Sequence, residues 1–203
     1  MRASPNNPRS ARTRELLHEA MLQLAAEKSV ANLTVGEVAR QAGVHRSTVY
    51  LHYSGLPELL DDCARELFRQ LRDDLWAMNQ TNPRWDGPQL SVYVTRVFRH
   101  LEAHEAFYRA MLGRQGDPLF RVLFQEEIAQ LLLEPIATEK MRNGKRPQFE
   151  MILRFFSAGF TEIATWWLEK GKPLSAENAA TRIANDLLPD YVRLIYSQGE
   201  NMK

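Results

Sequence analysis

The sequence predicts an all-α fold, on three observations. Apolar residues recur at three- and four-residue steps along most of the 203-residue chain, the spacing that gives a helix one apolar face. No stretch sustains the apolar–polar alternation of a half-buried strand; Leu90–Val97 offers a few steps of it, inside helical surroundings. The interruptions fall where Gly, Pro and Asn cluster: 82–88, 113–118, 143–147 and 171–173. About nine helices are expected.

Leu16, Leu17, Ala20, Met21, Leu24 and Ala25 define a first amphipathic helix from Ser10 to Lys28. Thr34-Val35-Gly36-Glu37 fits a capping box, in which a threonine hydroxyl and a glutamate side chain satisfy the free amides of a helix start. The helix it opens is short, because Gly43 is a left-handed stop. A second short helix runs from His45 to about His52, and Leu56-Pro57-Glu58 opens a longer one that reaches about Asn79. Further helices are expected near 89–104, 105–113, 118–142, 148–170 and 175–197, with Pro135 and Pro189 kinking or ending a turn.

Composition narrows the class of protein. Hydrophobic residues make up 44% and charged residues 25%, which suits a globular chain with a core. A net charge of +1 excludes a polycation and an acidic disordered chain. The total hides an asymmetry: the chain through Tyr53 carries +3 and the remainder −2, so an anionic partner is expected for the head alone. The N-terminus is polar and basic, with no secretory signal, and no apolar run suffices for a membrane span. The lone cysteine, Cys63, cannot form an internal disulfide. A protein of a reducing compartment, the cytoplasm, is expected.

Two short helices meeting at a glycine turn make a helix-turn-helix. Val38, Ala39, Ala42, Val44 and Val49 supply a small apolar hinge, and the second helix reads His45-Arg46-Ser47-Thr48-Val49-Tyr50-Leu51-His52-Tyr53. A helix entering the major groove needs short side chains near phosphates and longer donors at base edges, and this one has both.

Residues 34–60 resemble the signature of the TetR family of bacterial transcriptional regulators, through Thr34, Ala39, Ala42, Gly43, Val44, Thr48, Tyr50, His52, Tyr53, Leu59 and Leu60. A weaker likeness in Gly159, Trp167, Leu168, Gly171, Pro173, Ser175 and Glu177 is similar to the C-terminal segment of a subgroup that includes regulators of dihydroxyacetone kinase operons. The resemblance implies a DNA-binding helix-turn-helix domain over residues 1–55, of three helices, and a helical effector-binding and dimerisation domain over 56–203. It implies that Thr34, Thr48 and His52 touch phosphates, that Arg46, Ser47 and Tyr50 face bases or the adjoining backbone, and that Leu51 meets a thymine methyl. Two positions depart from the pattern. His45 stands where a Ser or Thr cap is common, so the cap is expected to be poorer or supplied otherwise. Leu56 stands where a phosphate-binding lysine is frequent, and Arg9, Arg12 and Arg14 are either an arm that compensates or a solvated tail.

The body holds many aromatic residues, most of them expected as core. The resemblance implies an effector pocket there, and Phe98, His100, His104, Phe107, Phe156 and Trp166 are its expected lining, suited to a largely apolar ligand with one polar end. His100 and His104 lie one turn apart, but no acidic or cysteine partner accompanies them, so neither a metal nor another cofactor is expected. The helix over 148–170 is apolar on more than one face. Its stripe Ile152, Phe156, Gly159, Ile163 and Trp167, thickened by Phe149, Phe155, Phe160 and Trp166, is expected to form a homodimer seam. Ala179, Ala180, Ile183, Ala184, Leu187, Leu188 and Val192 of the last helix are expected to join it. A buried central helix in a monomer fits the same periodicity.

The expected function is therefore that of a homodimeric repressor that binds an inverted-repeat operator in double-stranded DNA and is released by a small molecule. A regulator governed by a protein co-activator stays open. An all-α enzyme is disfavoured, because no nucleophile elbow, phosphate-binding loop, zinc-protease motif or C-x-x-C is present.

Overall fold

The computed structural model describes residues 8–81, 87–114, 116–132 and 147–187. Among these the chain is all-α: nine α-helices and no strand. They are α1 (Pro8–Glu27), α2 (Val35–Gln41), α3 (Arg46–His52), α4 (Leu56–Thr81), α5 (Gly87–Ala103), α6 (Glu105–Leu112), α7 (Pro118–Leu132), α8 (Pro147–Glu169) and α9 (Ala176–Arg182). A 3-10 turn, Val30–Asn32, follows α1, and α9 widens into a π-helical turn over Ile183–Leu187. The expected turns at Pro135 and Pro189, and Leu188 and Val192, lie outside the described residues, as do the side chains of Phe149 and Ile152.

The chain forms two compact units, residues 1–69 with 106–120, and residues 70–105 with 121–203. The first is built on α1, whose Leu17, Ala20, Met21 and Leu24 recur every three or four positions and are buried. They pack with Val38 and Ala39 of α2, Val49 of α3, and Leu59 and Cys63 of α4. Phe107 of α6 belongs to this unit too, edge-on to Phe120 at 5.5 Å. In the loop between them a Cβ on Gly116 would lie 2.1 Å from the Met111 carbonyl oxygen, so only glycine fits.

The second unit has an aromatic centre. Phe98 of α5 meets Trp167 of α8 edge-to-face at 5.0 Å and Phe160 at 5.6 Å. Ser157, Thr161 and Thr165, buried along α8, donate their hydroxyls to carbonyls of the preceding turn, so this polar row costs no unpaired groups. Ala179, Ala180, Ile183 and Ala184 are buried within the unit, where α9 packs on α5. These alanines therefore bring α9 close to α5 of the same chain, rather than facing outward to the seam expected for them.

The residues behind the weaker sequence likeness shape the turn between α8 and α9. Gly171 (φ 68°) and Lys172 (φ 59°) both take the left-handed conformation. Lys172 N–H donates to the Trp167 carbonyl, Trp167 Nε1–H donates to the Leu174 carbonyl, and the Ser175 hydroxyl accepts the Asn178 amide to cap α9. The strain at Lys172 is offset by its ammonium, which lies 2.8 Å from Glu105 and 3.3 Å from Glu102.

Candidate nucleic-acid interface

The candidate interface begins at the cap of α2. The Thr34 hydroxyl accepts the Glu37 amide at 3.3 Å, while the Glu37 carboxylate accepts the Thr34 amide at 2.9 Å and its hydroxyl at 2.7 Å. Lys28 pairs with the same carboxylate, and this bond, with those from Thr34, holds Glu37 down at about 2. Both the amide and the hydroxyl of Thr34 are thus committed within the cap, so a phosphate would have to draw one of them away from Glu37.

At the turn, Gly43 has φ 67°, while a Cβ there would meet nothing within 4 Å. The requirement for glycine is conformational rather than steric. Val44 N–H then donates to the Ala39 carbonyl at 2.9 Å and starts the chain toward α3.

His45 proves to be the cap of α3. Its Nδ1 accepts the Ser47 amide at 3.3 Å and faces the Ser47 hydroxyl at 2.7 Å. An imidazole nitrogen that accepts an amide carries no proton, so the ring proton sits on Nε2. Of the two expectations, a poorer cap or one supplied otherwise, the second holds: the imidazole itself accepts the amide.

Beyond the cap, α3 buries only Val49. Arg46, Ser47, Tyr50 and Leu51 are exposed, and Thr48 and His52 are half-buried. Arg46 donates to the Tyr50 hydroxyl at 3.1 Å with its guanidinium 5.7 Å above the Tyr50 ring, which holds two long side chains as one unit. Partial burial, helped by Arg14, lowers His52 from the ordinary histidine value. Leu56 packs against the first unit's core, and Ser54 N–H donates to Glu58 at 2.6 Å. Arg9, Arg12 and Arg14 lie in the first turns of α1; Arg12 pairs with Glu15, and Arg14 reaches to 3.5 Å from Asp62.

Sequence reasoning missed what stands behind α3. Tyr53, its C-terminal cap, is buried, and its hydroxyl donates to Asp62 Oδ2 at 2.6 Å. His18 Nε2 lies 3.0 Å from the same oxygen and 3.2 Å from the Tyr53 hydroxyl. The available signal was a tyrosine hydroxyl that needed a partner in a core position.

The six residues expected around an effector divide between the units. Phe107 belongs to the first. In the second, Phe98 and Phe156 are buried, with Phe156 6.3 Å from Phe160. His100 and His104 lie with rings 4.9 Å apart; burial, reinforced by His104, pushes His100 down to about 4, and burial also lowers His104. Trp166, by contrast, is 45% exposed and turned away from this centre. Among the described residues, no group of three or more His, Cys, Asp or Glu is placed to hold a metal ion, and no helix is long and apolar enough to cross a membrane.

The residues expected to form a seam on α8 divide between core and surface, with Phe156 and Phe160 buried and Gly159 exposed. Trp167 is fully buried and Ile163 half-buried, whereas Met151, Phe155 and Trp166 are exposed, Phe155 at 72%. Successive residues on a helix differ by about 100°, so the outward apolar stripe lies one residue around from the stripe expected. Beside it an open groove of about 440 Å³ runs between α7 and α8, lined in part by Val122, Ala129, Leu153 and Arg154.

A capped helix-turn-helix with exposed polar and cationic side chains, joined to a helical second unit, is the architecture of a DNA-binding protein. Residues 17–63 match the family described as bacterial regulatory proteins, tetR family, and residues 89–187 match a transcriptional regulator C-terminal region. The chain belongs to the TetR family. An uncharacterized HTH-type transcriptional regulator of Haemophilus influenzae is 36% identical over 128 residues, which span 60% of this chain and 60% of that relative. The match thus covers less than two thirds of the relative's length. Two solved structures share the fold. The fatty acid degradation regulator FadR of Bacillus halodurans has a TM-score of 0.67 at 20% identity, over 91% of this chain and 98% of that one. The dihydroxyacetone kinase operon activator DhaS has 0.59 at 19%, over 92% and 95%.

Proposed function

We propose that the protein is a homodimeric transcriptional repressor of the cytoplasm that reads an inverted-repeat operator through α3. The observation that carries this reading is α3 itself. It is a helix capped at its start, anchored by one buried valine, with Arg46, Ser47, Tyr50 and Leu51 all exposed. Such a helix has more to offer a major groove than its own core. Arg46 reads a base, Tyr50 holds Arg46 and meets the backbone, Leu51 meets a thymine methyl, and Ser47, Thr48, His52 and Thr34 serve the phosphates. A second copy covers the outward stripe of Met151, Phe155 and Trp166, since an apolar face of this kind marks a protein interface. A small, largely apolar ligand enters the aromatic centre around Phe98 and Phe156, with neutral His100 and His104 as its polar handle, and favours a conformation that binds DNA less well.

The test is selection of bound duplexes from a random pool by the full-length protein. An inverted repeat with half-sites about one helical turn apart, or slightly more, is expected. Arg46→Ala should then cost about 1–3 kcal/mol on the selected duplex and relax preference at one base position. A pool that enriches no duplex would overturn the reading.

A further inference from the structure

Three helices of the first unit meet at one carboxylate oxygen. Asp62 Oδ2, on α4, accepts the Tyr53 hydroxyl at 2.6 Å from the end of α3 and lies 3.0 Å from His18 Nε2 on α1, with Arg14 Nε at 3.5 Å. The Tyr53 hydroxyl has one proton and gives it to Asp62, so the remaining contact, His18 Nε2 to the Tyr53 oxygen at 3.2 Å, needs the proton on Nε2. One N–H from α1 is therefore shared between the two oxygens. Burial and the adjacent Asp62 hold the Tyr53 phenol far above its ordinary range, so the hydroxyl remains a donor at any working pH.

We propose that Asp62 is a positioning residue for DNA binding, which clamps the C-terminal end of the recognition helix to α4 through the Tyr53 hydroxyl. The proposal rests on the DNA-binding reading above and extends it to residues that touch no DNA. The physical need is plain in α3, a helix of seven residues that buries only Val49. A short helix fixed at one apolar point keeps freedom to rotate about it. Tyr53 provides the second point, and its bond to a carboxylate is short and directional in a way that ring packing alone is not. His18 and Arg14 then hold Asp62, so the angle at which α3 meets DNA follows α4. Any motion of α4 carries the recognition helix with it.

The test uses the full-length protein and a fluorescent duplex selected from a random pool by the wild type. Affinity is measured well below each variant's melting temperature, and melting is recorded in parallel. Tyr53→Phe removes only the hydroxyl and should weaken the duplex affinity about tenfold, the scale of a hydrogen bond to a charged group. Asp62→Ala should do at least as much, and the double variant should bind no worse than the weaker single one, because both changes break one link. Asp62→Asn keeps an acceptor oxygen in the same shape and should stay within about threefold of the wild type. The dependence of affinity on salt should be the same in all four variants, since none of them removes a phosphate contact.

If Tyr53→Phe and Asp62→Ala lower the melting temperature but leave the affinity of the folded protein unchanged, the network is only a brace and the proposal is overturned. A shallower salt dependence would overturn it as well, by making these residues direct contacts. Should Asp62→Ala fail to fold, Tyr53→Phe and Asp62→Asn, which keep the shape of the site, decide the matter. A wild type that selects no duplex at all sinks the DNA-binding reading and the clamp together; a wild type that selects one while the variants match it sinks the clamp alone.

Discussion

α3 and α8 reach opposite solutions to the same problem, that of presenting side chains to a partner. α3 is short, buries Val49 alone and depends on polar caps at both ends, His45 at its start and Tyr53 with Asp62 at its finish. α8 is 23 residues long and needs no such help, because Phe156, Phe160, Ala164, Trp167 and Leu168 anchor one side of it in the core of the second unit. α3 shows Arg46, Ser47 and Tyr50 to solvent, whereas α8 shows Met151, Phe155 and Trp166. A polyanion suits the first face and an apolar surface the second. A helix with little core of its own must be positioned by directional hydrogen bonds, while one with a deep core can leave apolar side chains exposed without losing its place.

Substitution on the two sides of α8 should separate these roles most strongly. Trp167→Ala should cost about 3–5 kcal/mol of stability, read by denaturant unfolding, because it empties the edge-to-face packing against Phe98 and frees the Leu174 carbonyl. Phe155→Glu, by contrast, should leave the unfolding of the chain itself within about 0.5 kcal/mol of the wild type, since a charge at so exposed a position is solvated. In the dimer proposed above that charge is buried and unpaired, so sedimentation should find monomers. A stable dimer carrying Phe155→Glu would assign the apolar stripe to something other than a second copy.

Acid should distinguish the units next. The folded chain holds His100 near 4, against about 6.5 when unfolded, so the unfolded chain binds the extra proton in between and stability falls as pH falls through that window. Between pH 7 and roughly pH 5 this amounts to about 2 kcal/mol, with no further change above neutrality. Unfolding measured across this range should show the slope in the wild type and a flatter one in His100→Asn. An equal slope in both would mean that His100 is not the group being charged.

The smallest effects belong to the caps of the reading head. Thr34→Ala should cost about 1 kcal/mol, because it removes the hydroxyl that accepts the Glu37 amide and donates to the Glu37 carboxylate, while the Thr34 amide keeps its own bond to that carboxylate. His45→Asn should cost less than His45→Ala, as asparagine offers the same amide an acceptor oxygen. Melting of the two His45 variants side by side would check this, and equal losses would mean that the imidazole cap contributes nothing.

Much of this protein is local and was open to reading from the sequence by itself. The periodicity of α1, the Thr34–Glu37 capping box, the glycine stop at Gly43 and the helix-turn-helix follow from signals that act within about one helical turn. Tertiary structure decided what local signals leave degenerate. Trp166 and Trp167 are adjacent and chemically identical; only the fit of Trp167 against Phe98 turns one inward and the other out. The alanines of α9 permit close approach to any helix, and the fold of the chain selects α5. His18, Tyr53 and Asp62 lie on three helices, with His18 separated from its partners by 35 and 44 positions. No periodicity records such a meeting, because a hydrogen bond depends on where two side chains arrive in space, and that is set only when the helices pack.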